Sequence, residues 1–169
     1  SNLCQEITLP TKPIQHIDDP DGEIALCILS AINIGILKLE EMEDICDLTV
    51  RALEEIIDYQ KYPVKAAEQS TKARRSLGIG YIGRAQYLAK NKVKYDDKQA
   101  LKLVDELTEH FQYYLLKSSN TLAKERGACE KFNRTKYADG LLPIDHYKKD
   151  VDELVTRKLK CNWEKLRKD

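Results

Sequence analysis

The chain has 169 residues, about one domain, and its 42% hydrophobic and 33% charged residues are ordinary for a globular protein. Lys+Arg and Asp+Glu are both 28, so the net charge is zero and no global field draws in nucleic acid or an anionic membrane. No apolar run approaches the roughly 18 residues of a membrane span, and the polar start, broken by Pro10 and Pro13, does not read as a signal peptide.

Residues 1–9 read as an extended segment. Pro10, Pro13 and Asp18-Asp19-Pro20-Asp21-Gly22 then predict a loop and turn. Residues 23–37 hold the apolar run Ile24-Ala25-Leu26-Cys27-Ile28-Leu29, whose shortness and Ile content favour a buried strand; a buried helix start has the same pattern. From Leu39 to Tyr59, Met42, Ile45, Thr49, Leu53 and Ile56/Ile57 recur every three or four residues and predict an amphipathic helix. Glu40, Glu41, Glu43 and Asp44 suit its positive end. Residues 64–75 fit a short helix or a loop, and residues 84–90 a short helix.

Asp96 to Glu125 is a second helix, with Ala100, Val104, Leu107, Phe111, Leu115, Ser118 and Leu122 on one stripe and Gly127 at the position of a C-cap glycine. Gly140 and Pro143 mark a loop. Asp150 to Leu166 reads as a third, more polar helix, and the bases from Arg157 to Lys168, interrupted by acids, read as its solvated face.

The five cysteines (Cys4, Cys27, Cys46, Cys129, Cys161) are odd in number and form no C-x-x-C, so they suggest neither a zinc ribbon nor a thioredoxin-type motif. A reducing, cytosolic compartment fits such thiols. Cys46 falls in the first helix as core packing, and Cys129 and Cys161 fall in or near loops as incidental thiols. His16, His110 and His146 have no second ligand at metal spacing, so no metal site is expected.

One segment carries chemistry. In an extended strand Asn2, Cys4 and Glu6 share a face, a row roughly 13 Å long of an amide, a thiol and a carboxylate. These are a hydrogen-bonding group, a reactive sulfur and a candidate general base. Spacing alone leaves a plainer alternative, an edge strand with an incidental cysteine.

The surrounding blocks bear on that choice. Ser1-Asn2-Leu3-Cys4-Gln5-Glu6-Ile7-Thr8-Leu9-Pro10-Thr11-Lys12-Pro13 resembles the finger-loop signature of class I ribonucleotide reductase large subunits. The similarity continues through Gly22-Glu23-Ile24-Ala25-Leu26-Cys27, Arg74-Arg75-Ser76-Leu77-Gly78-Ile79-Gly80 and Tyr113-Tyr114-Leu115-Leu116-Lys117. It reaches Leu142-Pro143-Ile144-Asp145 and Tyr147-Lys148-Lys149-Asp150, with the flavour of bacterial and phage enzymes.

The resemblance implies a mainly α chain with a few strands, a piece of the family's ten-stranded α/β barrel. Residues 1–169 would be a single fragment of that catalytic domain: 1–15 the finger-loop segment, 23–37 the strand region, 39–169 mostly helical. It implies that Cys4 becomes a thiyl radical and removes the 3′ hydrogen of a ribonucleoside diphosphate. Glu6 would take the 3′-hydroxyl proton, Asn2 would hydrogen-bond the substrate hydroxyls, and Cys27 would be one of two cysteines that become a disulfide at each turnover.

It further implies a metal-containing small subunit as the source of the radical, ATP or dNTP effectors bound elsewhere in the large subunit, and thioredoxin or glutaredoxin as reductant. No cofactor is expected on this chain itself, and neither a membrane nor a nucleic acid is expected among its partners.

Two other motifs carry less. Gly78-Ile79-Gly80-Tyr81-Ile82-Gly83 fits G-x-G-x-x-G, but the basic stretch Lys72 to Arg75 precedes it where an apolar strand should, so close helix packing by the glycines is expected instead of dinucleotide binding. Adjacent Tyr113 and Tyr114 read as helix packing, not as the family's radical-relay pair.

The only methionine is Met42 and the chain stops within a charged helix-like stretch, so both ends are expected to be cut from something longer. A truncated record, a proteolytic fragment, a split gene or an excised intein would each leave such a piece. Alone it is expected to lack reductase activity, with the strand containing Cys27 missing its neighbours and exposing an edge. The alternative is a non-catalytic helical interaction module.

Overall fold

Strands β1 (Ile28–Asn33) and β2 (Leu77–Ile82) pair in parallel, in register from Ile28↔Leu77 to Asn33↔Ile82. Parallel neighbours need a crossover, and helices α1 (Met42–Tyr59) and α2 (Lys65–Arg74) supply it. After β2 come α3 (Arg84–Lys90), the long α4 (Lys98–Arg126), a run of 3-10 turns between Phe132 and His146, and α5 (Trp163–Lys168). The computed structural model describes residues 8–146 and 158–169.

The sheet has one covered face. Ile32 and Ile34, with half-buried Ile79 and Tyr81, join Met42 and Cys46 of α1 and Leu107 and Phe111 of α4 in the main core. Tyr81 meets Phe111 edge to face at 5.5 Å, a favoured aromatic geometry. Alternation sends Leu29, Ala31, Gly78, Gly80 and Ile82 to the opposite face, which no described element covers; Leu29 is 52% exposed and Ile82 55%.

Helices α1 and α4 run in the same direction, because their contacts advance together. Lys117 pairs with Glu43, Ser118 donates to Asp47 at 2.6 Å, Arg51 grips Glu125 at 2.7 and 2.9 Å, and Arg126 pairs with Glu55. Both helices therefore run back along parallel strands on one side of the sheet, the arrangement of an α/β unit.

The amphipathic helices lie where their periodicity predicts, with Met42, Cys46, Val50, Leu53 and Ile57 buried on α1 and Ala100, Leu107, Phe111, Ser118 and Leu122 on α4. Residues 65–74 take the helical alternative. Tyr113 and Tyr114 pack as expected, Tyr113 lying 5.3 Å from the Trp163 ring.

Four expectations are corrected. The strand begins at Ile28, so most of the apolar run precedes it. Ile24 N donates to Ala66 O at 3.2 Å, which docks that stretch on α2 before the ladder with β2 starts.

The glycine motif is strand β2, not a helix contact. Gly78 and Gly80 lie inside the strand and only Gly83 (φ +83°) stands at the turn into α3, so the phosphate-cradling turn of a dinucleotide site is not formed.

Over its described part, the third helix spans only Trp163–Lys168. Buried Glu109 takes the backbone N–H groups of Lys160 (2.8 Å) and Cys161 (2.9 Å), holding that stretch out of helical geometry, and the Asn162 side chain caps the helix at Lys165 N. Residues 150–157 of the predicted helix lie outside the described residues. Finally, β1 has a neighbour within the chain: β2 pairs with one of its edges.

Candidate functional site

Of the four side chains singled out for chemistry, Asn2, Cys4 and Glu6 lie outside the described residues, and Cys27 is described. Cys27 is half-buried and stands one residue before β1. Alternation carries it to the uncovered face beside Leu29 and Ala31.

Its approach is fixed by four contacts. Lys12 and Glu23 exchange both backbone hydrogen bonds at 3.1 and 3.0 Å. The intervening turn is organised by buried Asp19, whose carboxylate accepts the N–H groups of Gln15 and Asp21, both at 2.8 Å. Those bonds hold the Asp19 carboxyl below its ordinary range. Then Arg74 at the end of α2 pairs with Glu23, and Ile28 N donates to Ser76 O at 3.1 Å.

Two of the blocks that carry the family resemblance, Gly22–Cys27 and Arg74–Gly80, thus meet in space. So do Tyr113–Lys117 and Leu142–Asp145: Leu142 forms a small core with Trp163 and Leu166, against which Tyr113, Leu116 and Ile144 pack.

Arg75, next to the Glu23 partner, is left-handed (φ 50°, ψ 45°), a conformation that costs a non-glycine residue. It is held there by Glu54 and by Asp58, which it contacts at 2.7 and 3.1 Å. These bonds keep Asp58 ionised to lower pH than usual. They also fasten the corner between α2 and β2 to α1.

The open face beside Cys27 is smooth. A Cβ on Gly80 would meet nothing within 4 Å, and one on Gly78 would meet the Leu29 side-chain tip at 2.5 Å and the Ile28 carbonyl at 4.0 Å. Neither glycine has a positive φ. Neither backbone geometry nor a described neighbour requires glycine at position 80, and glycine inside a strand often marks a place that another chain or a ligand approaches closely.

The other candidates are structural. Cys46 is fully buried, and burial pushes its thiol up to about 12, so it stays protonated and inert. His110 Nδ1 lies 2.7 Å from Glu106 O, and among the described residues no cluster of His, Cys, Asp or Glu could hold a metal. No described helix is long and apolar enough to cross a membrane. An open cavity of about 600 Å³ between Gly22, α2 and Lys131 is lined by charges paired with one another, Glu68 with Lys65 and Lys72, Glu130 with Lys131.

Sequence reasoning missed Glu109 and the Glu23–Arg74 pair. Nothing local marks Glu109 as buried. Glu23 and Arg74 did stand in resembling blocks, which was a usable signal.

A parallel strand pair with helices on one face is an α/β unit, the building block of open α/β sheets and of α/β barrels. The chain belongs to the ribonucleotide reductase barrel domain family, whose profile matches residues 1–169. It is 61% identical, along its whole length, to the ribonucleoside-diphosphate reductase subunit alpha of Haemophilus influenzae. It is 53% identical over 99% of its length to ribonucleoside-diphosphate reductase 1 subunit alpha of Escherichia coli, and 42% identical over its whole length to the ribonucleoside-diphosphate reductase subunit alpha of Enterobacteria phage T4. The chain spans 22% of the length of each of these relatives.

Proposed function

We propose that the chain supplies the radical and redox segment of a ribonucleoside-diphosphate reductase large subunit. The single observation that carries this is the family match along all 169 residues, with the Asn2-Cys4-Glu6 signature and Cys27 both present.

In this reading Cys4, as a thiyl radical, takes the 3′ hydrogen of a ribonucleoside diphosphate. S–H and activated ribose C–H bonds are close in strength, so the step is reversible. Glu6 takes the 3′-hydroxyl proton, which eases loss of the 2′-hydroxyl as water, and Asn2 orients the hydroxyls. Cys27 and a second thiol give two electrons and two protons and become a disulfide. The 3′ hydrogen then returns from Cys4, which regenerates the radical.

The face of β1 and β2 that no described element covers supports this reading, because Cys27 and a second thiol have to meet on one side of the sheet. A thiol pair that must be re-reduced after each turnover suits a cytosolic enzyme served by thioredoxin or glutaredoxin. The radical would come from a metal-containing small subunit, and ATP or dNTP effectors would bind outside this segment. With 22% of its relatives' length, the chain alone is expected to reduce nothing.

The test places this chain in the matching position of the Haemophilus influenzae subunit and adds a small subunit and a dithiol reductant. Deoxynucleotide formation that Cys4→Ser abolishes, and that Cys27→Ser stops when thioredoxin is the only reductant, supports the assignment. Turnover that survives Cys4→Ser refutes it.

A further inference from the structure

The segment that carries Cys27 is pinned on both sides of the thiol. Arg74 grips Glu23, four residues before Cys27, and Ile28 N, one residue after it, donates to Ser76 O at 3.1 Å. Between them Ile24 N donates to Ala66 O at 3.2 Å. All three partners lie on α2 or on the corner of two residues, Arg75 and Ser76, that joins α2 to β2. Where that corner stands, Cys27 stands.

The corner has a costly form. Among the described residues only Arg75 and Lys92 are non-glycine residues with positive φ. Glycine would take φ 50° at position 75 without steric cost; arginine does not. What arginine adds is reach. Its Nη1 and Nη2 donate to the two oxygens of Asp58 at 3.1 and 2.7 Å, Nη2 also donates to Glu54 O at 3.2 Å, and Nε donates to the Glu54 carboxylate. The Arg75 and Glu54 side chains are 21% and 14% exposed, so water competes weakly for that pair. Both acceptors sit on α1, whose buried side belongs to the main core. The contacts thus run unbroken from the core through α1 and the guanidinium to the corner, and from Ser76 O to the residue beside Cys27. Return of Arg75 to the ordinary helical or extended region would swing the peptide that follows, and the Ser76 carbonyl with it.

We propose that Arg75 is a positioning residue for Cys27: by holding the left-handed corner against α1 it fixes where the thiol stands, and so how readily Cys27 and a second thiol close into a disulfide. The proposal rests on the redox role given to Cys27 above. A disulfide closes within narrow limits, about 3.5–4.5 Å between Cβ atoms, and one formed outside them is strained and more easily reduced. In the closing step the two thiols give up two protons and two electrons to a disulfide oxidant, which leaves as two thiols. Arg75 takes no part in that exchange; it acts through the backbone alone.

The test uses the complete subunit with this chain in the matching position of the Haemophilus influenzae relative. It is equilibrated with mixed reduced and oxidised glutathione, and the fraction of Cys27 joined to a second protein thiol is read by peptide mapping. Arg75→Gln should lower the equilibrium constant for closure about tenfold, since the effective molarity of two reacting groups falls steeply with misplacement. Arg75→Gly, which suits the φ but cannot hold it, should fall likewise, and Arg75→Lys should recover part of the loss through a single ion pair. Arg51→Met, which frees α1 from α4 at Glu125, is the control and should leave the constant unchanged. An equal fall in Arg51→Met and Arg75→Gln would show general loosening, and an unchanged constant in Arg75→Gln would show that Cys27 is held without it; either overturns the proposal. Should Arg75→Gln fail to fold, Asp58→Asn weakens the same fork from a partner that is 57% exposed, and the same two outcomes decide. A Cys27 that forms no disulfide even in the unsubstituted subunit removes the redox reading and the proposal together, whereas one that closes regardless of Arg75 removes the proposal alone.

Discussion

Arg74 places Nε at 3.0 Å and Nη2 at 2.5 Å from the same oxygen of Glu23, joining the end of α2 to the segment that leads into Cys27. Both side chains are mostly buried, 15% and 22% exposed, so the pair is less screened than a surface ion pair. Removing one partner strands the other. Arg74→Met and Glu23→Gln should each cost about 2 kcal/mol, and a double-mutant cycle on thermal unfolding should return a coupling of roughly 1–2 kcal/mol. Additive effects would show that the two residues act separately.

Glu109 holds three donors with one oxygen: Lys160 N, Cys161 N and Trp163 Nε1, the last at 3.2 Å. Glu109→Ala leaves buried donors without an acceptor and should destabilise by about 2–3 kcal/mol. Glu109→Gln keeps a carbonyl oxygen there and should cost less. Trp163 is the only tryptophan, so its fluorescence reports directly: a red shift in Glu109→Ala under native conditions is expected, with little change in Glu109→Gln.

The pH profile should fall at both ends. Asp47 is held below its ordinary range first by the Ser118 hydroxyl and then by Arg51. A carboxyl depressed in the folded state adds stability above its unfolded pKa of about 3.9, and that contribution is lost as pH falls through the lower folded value. Thermal unfolding temperature should therefore drop below about pH 4, less steeply in Ser118→Ala. Cys46 acts at the other end. Its folded pKa is raised to about 12, so its contribution is complete below the unfolded thiol value and disappears as pH climbs to the folded one. Cys46→Ala should flatten the alkaline decline, and wild-type Cys46 should label only on unfolding.

Two glycines three residues apart, Gly80 and Gly83, should respond oppositely. A Cβ at position 80 would meet no atom within 4 Å, and Gly80→Val replaces a poor strand residue by a good one, so unfolding should require about 0.5–1 kcal/mol more. Gly83→Ala must keep φ +83° and would place a Cβ 2.4 Å from Asn33 Oδ1, the oxygen that accepts Gly35 N, so it should destabilise by about 1–2 kcal/mol or more. In the complete subunit Gly80→Val should nonetheless lower turnover, because the side chain projects onto the face that carries Cys27. Undiminished turnover would mean that nothing approaches the sheet at position 80.

Helices α1 and α4 were legible because their apolar residues repeat at helical spacing and their buried faces follow that repeat. Strand β2 was not, since glycines at 78 and 80 erase the alternation that marks a strand, and its meaning comes only from β1 far away in sequence. The helix predicted through Leu166 failed for a related reason: the bonds that hold Lys160 and Cys161 come from Glu109, on another element. Cys27 was legible as a thiol near a strand, but its position on the open face depends on the register with β2. The roles given to Asn2, Cys4 and Glu6 come from the order of resembling blocks, not from any property of those three side chains alone.

The backbone bridge between Lys12 and Glu23 has an entropic consequence. It closes residues 13–22 into a loop, so Lys12 and Glu23 stay backbone to backbone whatever the ten residues between them do. Closing a flexible loop costs about (3/2)RT ln n, a slow function of its length n. Lengthening the loop should therefore be tolerated, while loosening its base, for example with Asp19→Ala, would release the entry to β1 and leave the Cys27 thiol chemically intact.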